Sequence, residues 1–152
     1  MLRHRDASPR PLELPVEIPP VRYSLDASAA GGFTTEVWEA PVSRDAPLDA
    51  CETLWEVLFG SSFRQERALL EGSCVDYTRD ILYVAYVDSQ LAGTTVLTLG
   101  RGSAGALLGG VGEVATAPQF RGRGIARTLV ALARDDFTRL GGELLGLGTV
   151  NW

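Results

Sequence analysis

Lysine is missing from these 152 residues: all fourteen basic residues are arginine. A Walker-type phosphate loop needs a lysine, so that mode of nucleotide binding is excluded. Histidine occurs once, at His4, and cysteine twice, at Cys51 and Cys74, without a CxxC spacing. This inventory indicates no metal site and no disulfide framework, and both cysteines read as small core hydrophobes. No apolar run approaches the ~18 residues a membrane helix needs, so no membrane partner is expected. The opening residues, MLRHRDASPRPLELP, hold charge and proline where a secretory signal holds an apolar stretch, and the expected location is cytoplasmic. A surplus of positive charge is lacking too. With a formal net charge of −5 the chain is a poor bulk nucleic-acid binder, because such binding uses a cationic surface that releases counterions. Any anion site must therefore be local.

The residues that are present, 45% hydrophobic and 22% charged, suit one soluble globular domain. A chain of this length buries roughly 68–70% of its unfolded surface, enough for a single core. Five of the eight prolines, Pro9, Pro11, Pro15, Pro19 and Pro20, fall in residues 1–20, which read as an extended or disordered arm ahead of a domain over 21–152. Val21 to Ala27 and Phe33 to Ala40 read as strands. Asp45 is placed to cap a helix with Pro47 in its first turn, Leu48, Cys51, Leu54, Trp55 and Leu58 on one face, and Gly60 as its stop. Ser62 to Glu71 predicts a second, short helix ended by Gly72. ILYVAYV and LAGTTVLTL, joined through Asp88-Ser89-Gln90, predict a hairpin. A glycine-rich loop is expected over Gly100 to Gly110, then a strand VGEVATA, a helix from Ile125 to Leu140 stopped by Gly141-Gly142, and a buried strand GELLGLGTV parallel to its predecessor. Trp38 and Trp55 are assigned to the core.

The chemistry concentrates in EVATAPQFRGRGIARTLV. Pro118 ends the strand ladder, Gly122 and Gly124 allow a tight turn, and the helix starting near Ile125 presents unpaired amides. With Arg121, Arg123 and Arg127 around it, this is a nest for a pyrophosphate. The bland alternative is a solvated basic patch around a Gly-Arg-Gly turn. A neighbouring run, Gly110-Val111-Gly112-Glu113-Val114-Ala115, formally fits GxGxxA, but its glycines enter a strand instead of opening a helix.

Arg121-Gly122-Arg123-Gly124-Ile125-Ala126 matches the R/Q-x-x-G-x-G/A motif, and on it the chain resembles the GNAT N-acyltransferases over residues 33 to 151. The resemblance implies a mixed α/β (α+β) sheet of the GNAT type, with acetyl-CoA as co-substrate and a primary amine of a small molecule or peptide as acceptor. It further implies that the backbone of Val114, Ala115 and Thr116 pairs with the pantetheine arm, that Arg121 to Ala126 hold the pyrophosphate, and that Asn151 contacts CoA. Family members continue past the position of Trp152 through a helix and two strands that commonly bring a tyrosine acid. Against that pattern the expectation is a C-terminally truncated domain, or one whose last strand is covered by a second chain, such as a homodimer partner.

Glu113, beside the pantetheine strand, is the candidate general base, acting directly or through a water. An edge glutamate facing solvent is the competing reading. Tyr83 and Tyr86 are candidates for the acceptor pocket or for plain packing. Three readings remain: an acetyltransferase, a catalytically silent CoA-binding or partner-binding module, and a structural domain with no ligand.

Overall fold

The computed structural model describes residues 32–148. Val21 to Ala27, the proline-rich segment and Asn151 lie outside the described residues. Within them, β1 (Thr34–Glu39) is followed by α1 (Leu48–Phe59), α2 (Arg64–Leu70), β2 (Arg79–Val87), β3 (Gln90–Arg101) and β4 (Leu107–Thr116). A 3-10 turn (Pro118–Phe120), α3 (Ile125–Arg139) and β5 (Leu144–Leu147) complete the order. The strands form one sheet in the order β1-β2-β3-β4-β5, antiparallel throughout except for the parallel pair β4–β5. This is the mixed α/β sheet expected from the sequence, with β5 parallel to β4 as the crossover through α3 predicts.

Local chemistry explains most boundaries. Asp88 and Ser89 form the two-residue β2–β3 turn with φ +48 and +64, the paired left-handed conformation whose twist suits a hairpin. Gly60 closes α1 in the left-handed region, its N–H donating to Glu56 O at 3.0 Å. The start of α1 differs from expectation: Pro47 is the cap residue, no side chain caps the helix, and Asp45 stands too early to do so. There the Ala46 and Leu48 amides donate to Ser43 O and Ala46 O, a turn that brings the chain into the helix by backbone bonds alone.

The glycine-rich stretch expected as a loop is mostly strand. Gly100, Gly109 and Gly110 pair across β3–β4, and only residues 102–106 turn. Gly109 is needed there for closeness, since a Cβ on it would come within 2.8 Å of both Leu145 and Phe137. A further correction concerns β5, expected to be buried: Leu144 and Leu147 are 67% and 59% exposed, because the strand lies at the sheet edge.

The sheet is covered on both faces. Ile81, Tyr83 and Ala85 pack with Leu97, Leu99, Leu129, Ala133 and Phe137 beneath α3, while Leu82, Val84 and Val96 pack with Cys51, Trp55, Phe63 and Leu70 beneath α1 and α2. With a helix layer on each side, β2 shows no polar alternation, which is why ILYVAYV reads as a continuous apolar run. Cys51 and Trp55 are core residues, whereas Cys74 and Trp38 are only partly buried.

Candidate active site

The start of α3 is shaped by Pro118 and two glycines. Pro118 opens the 3-10 turn, in which Phe120 N–H donates to Ala117 O at 2.9 Å. Gly122 and Gly124 both sit at φ +79, and nothing lies within 4 Å of the Cβ either would carry. Glycine is required here by conformation, and it leaves open space beside the backbone. Gly124 caps α3, and Thr128 N–H donates to Gly124 O at 3.0 Å. The amides of Ile125, Ala126 and Arg127 therefore precede the helical ladder and have no acceptor within the helix. No acidic residue occupies the first turn and no side chain caps it. Instead Arg121, Arg123 and Arg127 stand exposed around it. Arg123 lies over the Phe120 ring, 5.6 Å from its centroid, and Arg121 Nε donates to Thr116 O at 3.4 Å. Aligned free amides at a helix's positive end, ringed by guanidinium groups, are suited to a phosphate or pyrophosphate.

Beside this loop, β4 changes its pairing. The ladder to β5 ends at Val111–Leu147, so that among the described residues Gly112 to Thr116 pair with β3 alone. Thr94 pairs with Ala115 and Val96 with Gly112, so two steps along β3 answer three along β4. The extra residue makes a β-bulge, in which Glu113 adopts φ +47, a left-handed conformation disfavoured by its Cβ. As a result Val111 packs on the α3 side and Ala115 on the α1–α2 side, although strict alternation would place both on one face. The bulge is tied to α1. Trp55 Nε1–H donates to Thr94 Oγ1 at 2.7 Å, and the Thr94 hydroxyl donates to Glu113 O at 2.8 Å, with Trp55 and Thr94 fully buried.

Where β4 and β5 part, a cleft of about 720 Å³ opens. Val111, Gly112, Glu113 and Val114 line it from β4, Val130 from α3, Leu147 and Gly148 from the end of β5, and Phe59, Ser61 and Phe63 from the turn between α1 and α2. Glu113 is the ionisable group of this lining. Burial above all, and then the charges of Glu66 and Asp80, push its carboxyl up to about pKa 7. Such a carboxylate can accept a proton near neutral pH.

Comparison with known proteins gives the chain a family. The model of the acetyltransferase (GNAT) family matches residues 48–152. The chain belongs to the GNAT acetyltransferase family. No curated protein matches it in sequence. Among solved structures it resembles an acetyltransferase of Trypanosoma brucei, at 14% identity over 78% of this chain and 84% of that one, with a TM-score of 0.59. It also resembles an aminoglycoside acetyltransferase from an uncultured soil metagenomic sample, crystallised with sisomicin, at 16% identity over 77% of each chain and a TM-score of 0.60. A glucosamine-6-phosphate N-acetyltransferase from Arabidopsis thaliana matches at 15% identity over 76% of this chain and 82% of that one, with a TM-score of 0.54. At these identities the likeness establishes the fold.

In this GNAT chain the residues singled out in the sequence fall into two groups. Arg121 to Ala126 form the nest, with the Ile125 side chain buried in the core and only its amide available to a ligand. Glu113 and Val114 line the cleft, Ala115 faces the α1–α2 core, and the Thr116 carbonyl accepts from Arg121. Glu113 is partly buried, between the full exposure of the competing reading and the core. The GxGxxA run lies within β4 as a strand. Tyr83 is a core residue whose hydroxyl donates to Asp136 Oδ2 at 2.7 Å, away from the cleft lining. Tyr86 lies beside Glu36, in a shallow recess at the β2–β3 turn. Sequence reasoning missed the bulge, the Trp55–Thr94 tie and the phenylalanine wall. Phe59 and Phe63 are four apart across a helix break, and that spacing, next to Gly60, was the one signal available.

Proposed function

We propose that this chain is an N-acetyltransferase that moves an acetyl group from acetyl-CoA to a primary amine. The observation that carries the reading is the amide nest of Gly122 to Arg127, which stands where β4 is released from β5 into a cleft holding Glu113. Acetyl-CoA would supply a thioester: when an amine nitrogen bonds to its carbonyl carbon the C–S bond breaks, giving an amide and the CoA thiol. The pyrophosphate would rest on the amides from Gly122 to Ala126, with Arg121, Arg123 and Arg127 around it. The backbone of Val114, Ala115 and Thr116, which among the described residues pairs with β3 alone, would hydrogen-bond the pantetheine arm in place of a strand. An amide of the bulge is the donor for the charge that grows on the carbonyl oxygen.

Glu113 acts as general base. An ammonium group must lose one proton before its nitrogen can attack and a second as the amide forms. Glu113 takes one of these, directly or through a water, and the other leaves with the thiol.

The test is a calorimetric titration of acetyl-CoA into the chain, with Arg123→Glu as control, followed by thiol release with a panel of amines. Micromolar binding that the control loses, together with amine-dependent thiol release, is expected. Binding without release from any amine would favour the silent CoA-binding module, and no binding would end the reading.

A further inference from the structure

The cleft is lined from both faces of the sheet, and the two sets of lining residues differ in chemistry. Val130 lines it from α3, the helix whose first turn carries the anion nest; Phe59, Ser61 and Phe63 line it from the α1–α2 face. A CoA molecule anchored at the nest enters from the α3 face. The acceptor must then reach the thioester from the α1–α2 face, passing the two phenylalanines.

The α1–α2 side is aromatic. The Phe59 and Phe63 rings lie 5.6 Å apart at 44°, and Trp55 continues the stack, 5.6 Å from Phe63. Apart from Glu113, the one polar side chain among the described lining residues is that of Ser61. None of the five carboxylates between Leu48 and Glu71 lies in the described lining, nor does either of the two arginines of that segment. One of these, Arg67, is held by Asp49, Glu52 and Glu71. The other, Arg64, stands exposed outside the lining. Glu66 and Asp80 add their negative potential at Glu113 itself.

A sugar entering here would leave hydroxyl groups facing rings and valines, stripped of water and unpaired. A phosphate or carboxylate on the acceptor would meet the Glu113 carboxylate and no cation among the described lining residues. An ammonium group is attracted by the same field, and a flat apolar body fits against the rings.

We propose that the acceptor is a cationic primary amine with an aryl body, of the arylalkylamine class, and that Phe59 and Phe63 determine this preference. The proposal rests on the acetyltransferase reading and adds the substrate class to it.

The experiment measures steady-state acetylation by the full chain, with 2-phenylethylamine, spermidine, kanamycin and glucosamine 6-phosphate as acceptors. We expect kcat/KM for 2-phenylethylamine to exceed that of each of the others by about tenfold or more. Phe59→Ala should lose about tenfold for 2-phenylethylamine, mainly through KM, while the KM for acetyl-CoA stays within about twofold. Phe59→Leu, which keeps apolar volume should the alanine variant fail to fold, should narrow the advantage of the aryl amine over a linear alkylamine. Preference for kanamycin, glucosamine 6-phosphate or spermidine overturns the proposal and leaves the acetyltransferase reading standing. An aryl preference unmoved in a folded Phe59 variant overturns the role of the wall. Failure to acetylate any amine despite acetyl-CoA binding sinks both readings.

Discussion

Glu113 joins a left-handed backbone, held by its own carbonyl's bond from Thr94, to a carboxyl that titrates near neutrality. As the proposed base it must be ionised to act, so kcat/KM should rise with pH through about 7, the value that burial imposes. Glu113→Gln should lower kcat by roughly 10²–10⁴ and erase that limb of the pH profile. Stability follows the opposite sense. The folded-state value lies above the unfolded one of about 4.5, so the fold favours the protonated form. Glu113 is therefore without penalty below about pH 4 and increasingly destabilising as pH rises through 7. Glu113→Gln should raise Tm near pH 8, by about 1–2 kcal/mol of stability once solvent screening is allowed for, and leave it unchanged near pH 4. Equal shifts at both pH values would count against the buried-carboxyl account. Thr94 supplies a separate test. Thr94→Val strands the Trp55 indole N–H and the Glu113 carbonyl, at about 1–3 kcal/mol for each group left unpaired. We expect a lower Tm together with a displaced pH–rate limb, and recovery of both in Thr94→Ser. A displaced Tm with an unaltered pH profile would make the tie a fold-stabilising contact only.

The elements meet most closely where α3 begins. Gly93 on β3 pairs with Thr116, and a Cβ on it would come within 2.6 Å of Ile125 Cγ2 and 2.8 Å of Ala115 O. This glycine lets the first turn of α3 rest against the sheet, which fixes the nest relative to the end of β4. Gly93→Ala should therefore destabilise the chain by about 1–3 kcal/mol and weaken acetyl-CoA binding more than it slows turnover at saturation. A variant that melts early yet binds acetyl-CoA normally would show that the nest tolerates displacement of α3.

Charge is arranged over the whole molecule in a way its sum hides. The net value of −5 coexists with three exposed arginines within one turn of the α3 terminus, while α1 carries three carboxylates and no basic residue. The arginines suit the proposed anionic co-substrate, and the Glu113 carboxylate in the cleft suits a cationic acceptor. Raising salt from about 50 to about 500 mM should weaken acetyl-CoA binding several-fold, with Arg123→Glu already weak and nearly insensitive to salt. Salt-independent binding by the parent chain would place the affinity in the pantetheine contacts.

Much of this was legible in the residues. Element types follow from period and punctuation: β-branched runs for β2 and β3, Asp88-Ser89 for the hairpin turn, Gly60 as a stop, and Pro118 with Gly122 and Gly124 for the nest. These are local signals, carried by φ preferences and side-chain spacing that a short segment expresses by itself. What failed was decided by distant partners. Gly100 and Gly109 read as loop because glycine alone disfavours a strand, yet β3 pairs with them and Phe137 closes over Gly109. β5 reads as buried from its leucines, but a strand's exposure depends on which neighbours flank it. The bulge at Glu113 exists only because β3 and β4 run out of step by one residue, and no property of VGEVATA announces a mismatch with another strand. The sequence thus determined the pieces and the anion-binding turn. Tertiary structure decided which carboxylate is buried, which rings face the cleft and how the two meet, because burial and register are relations between segments.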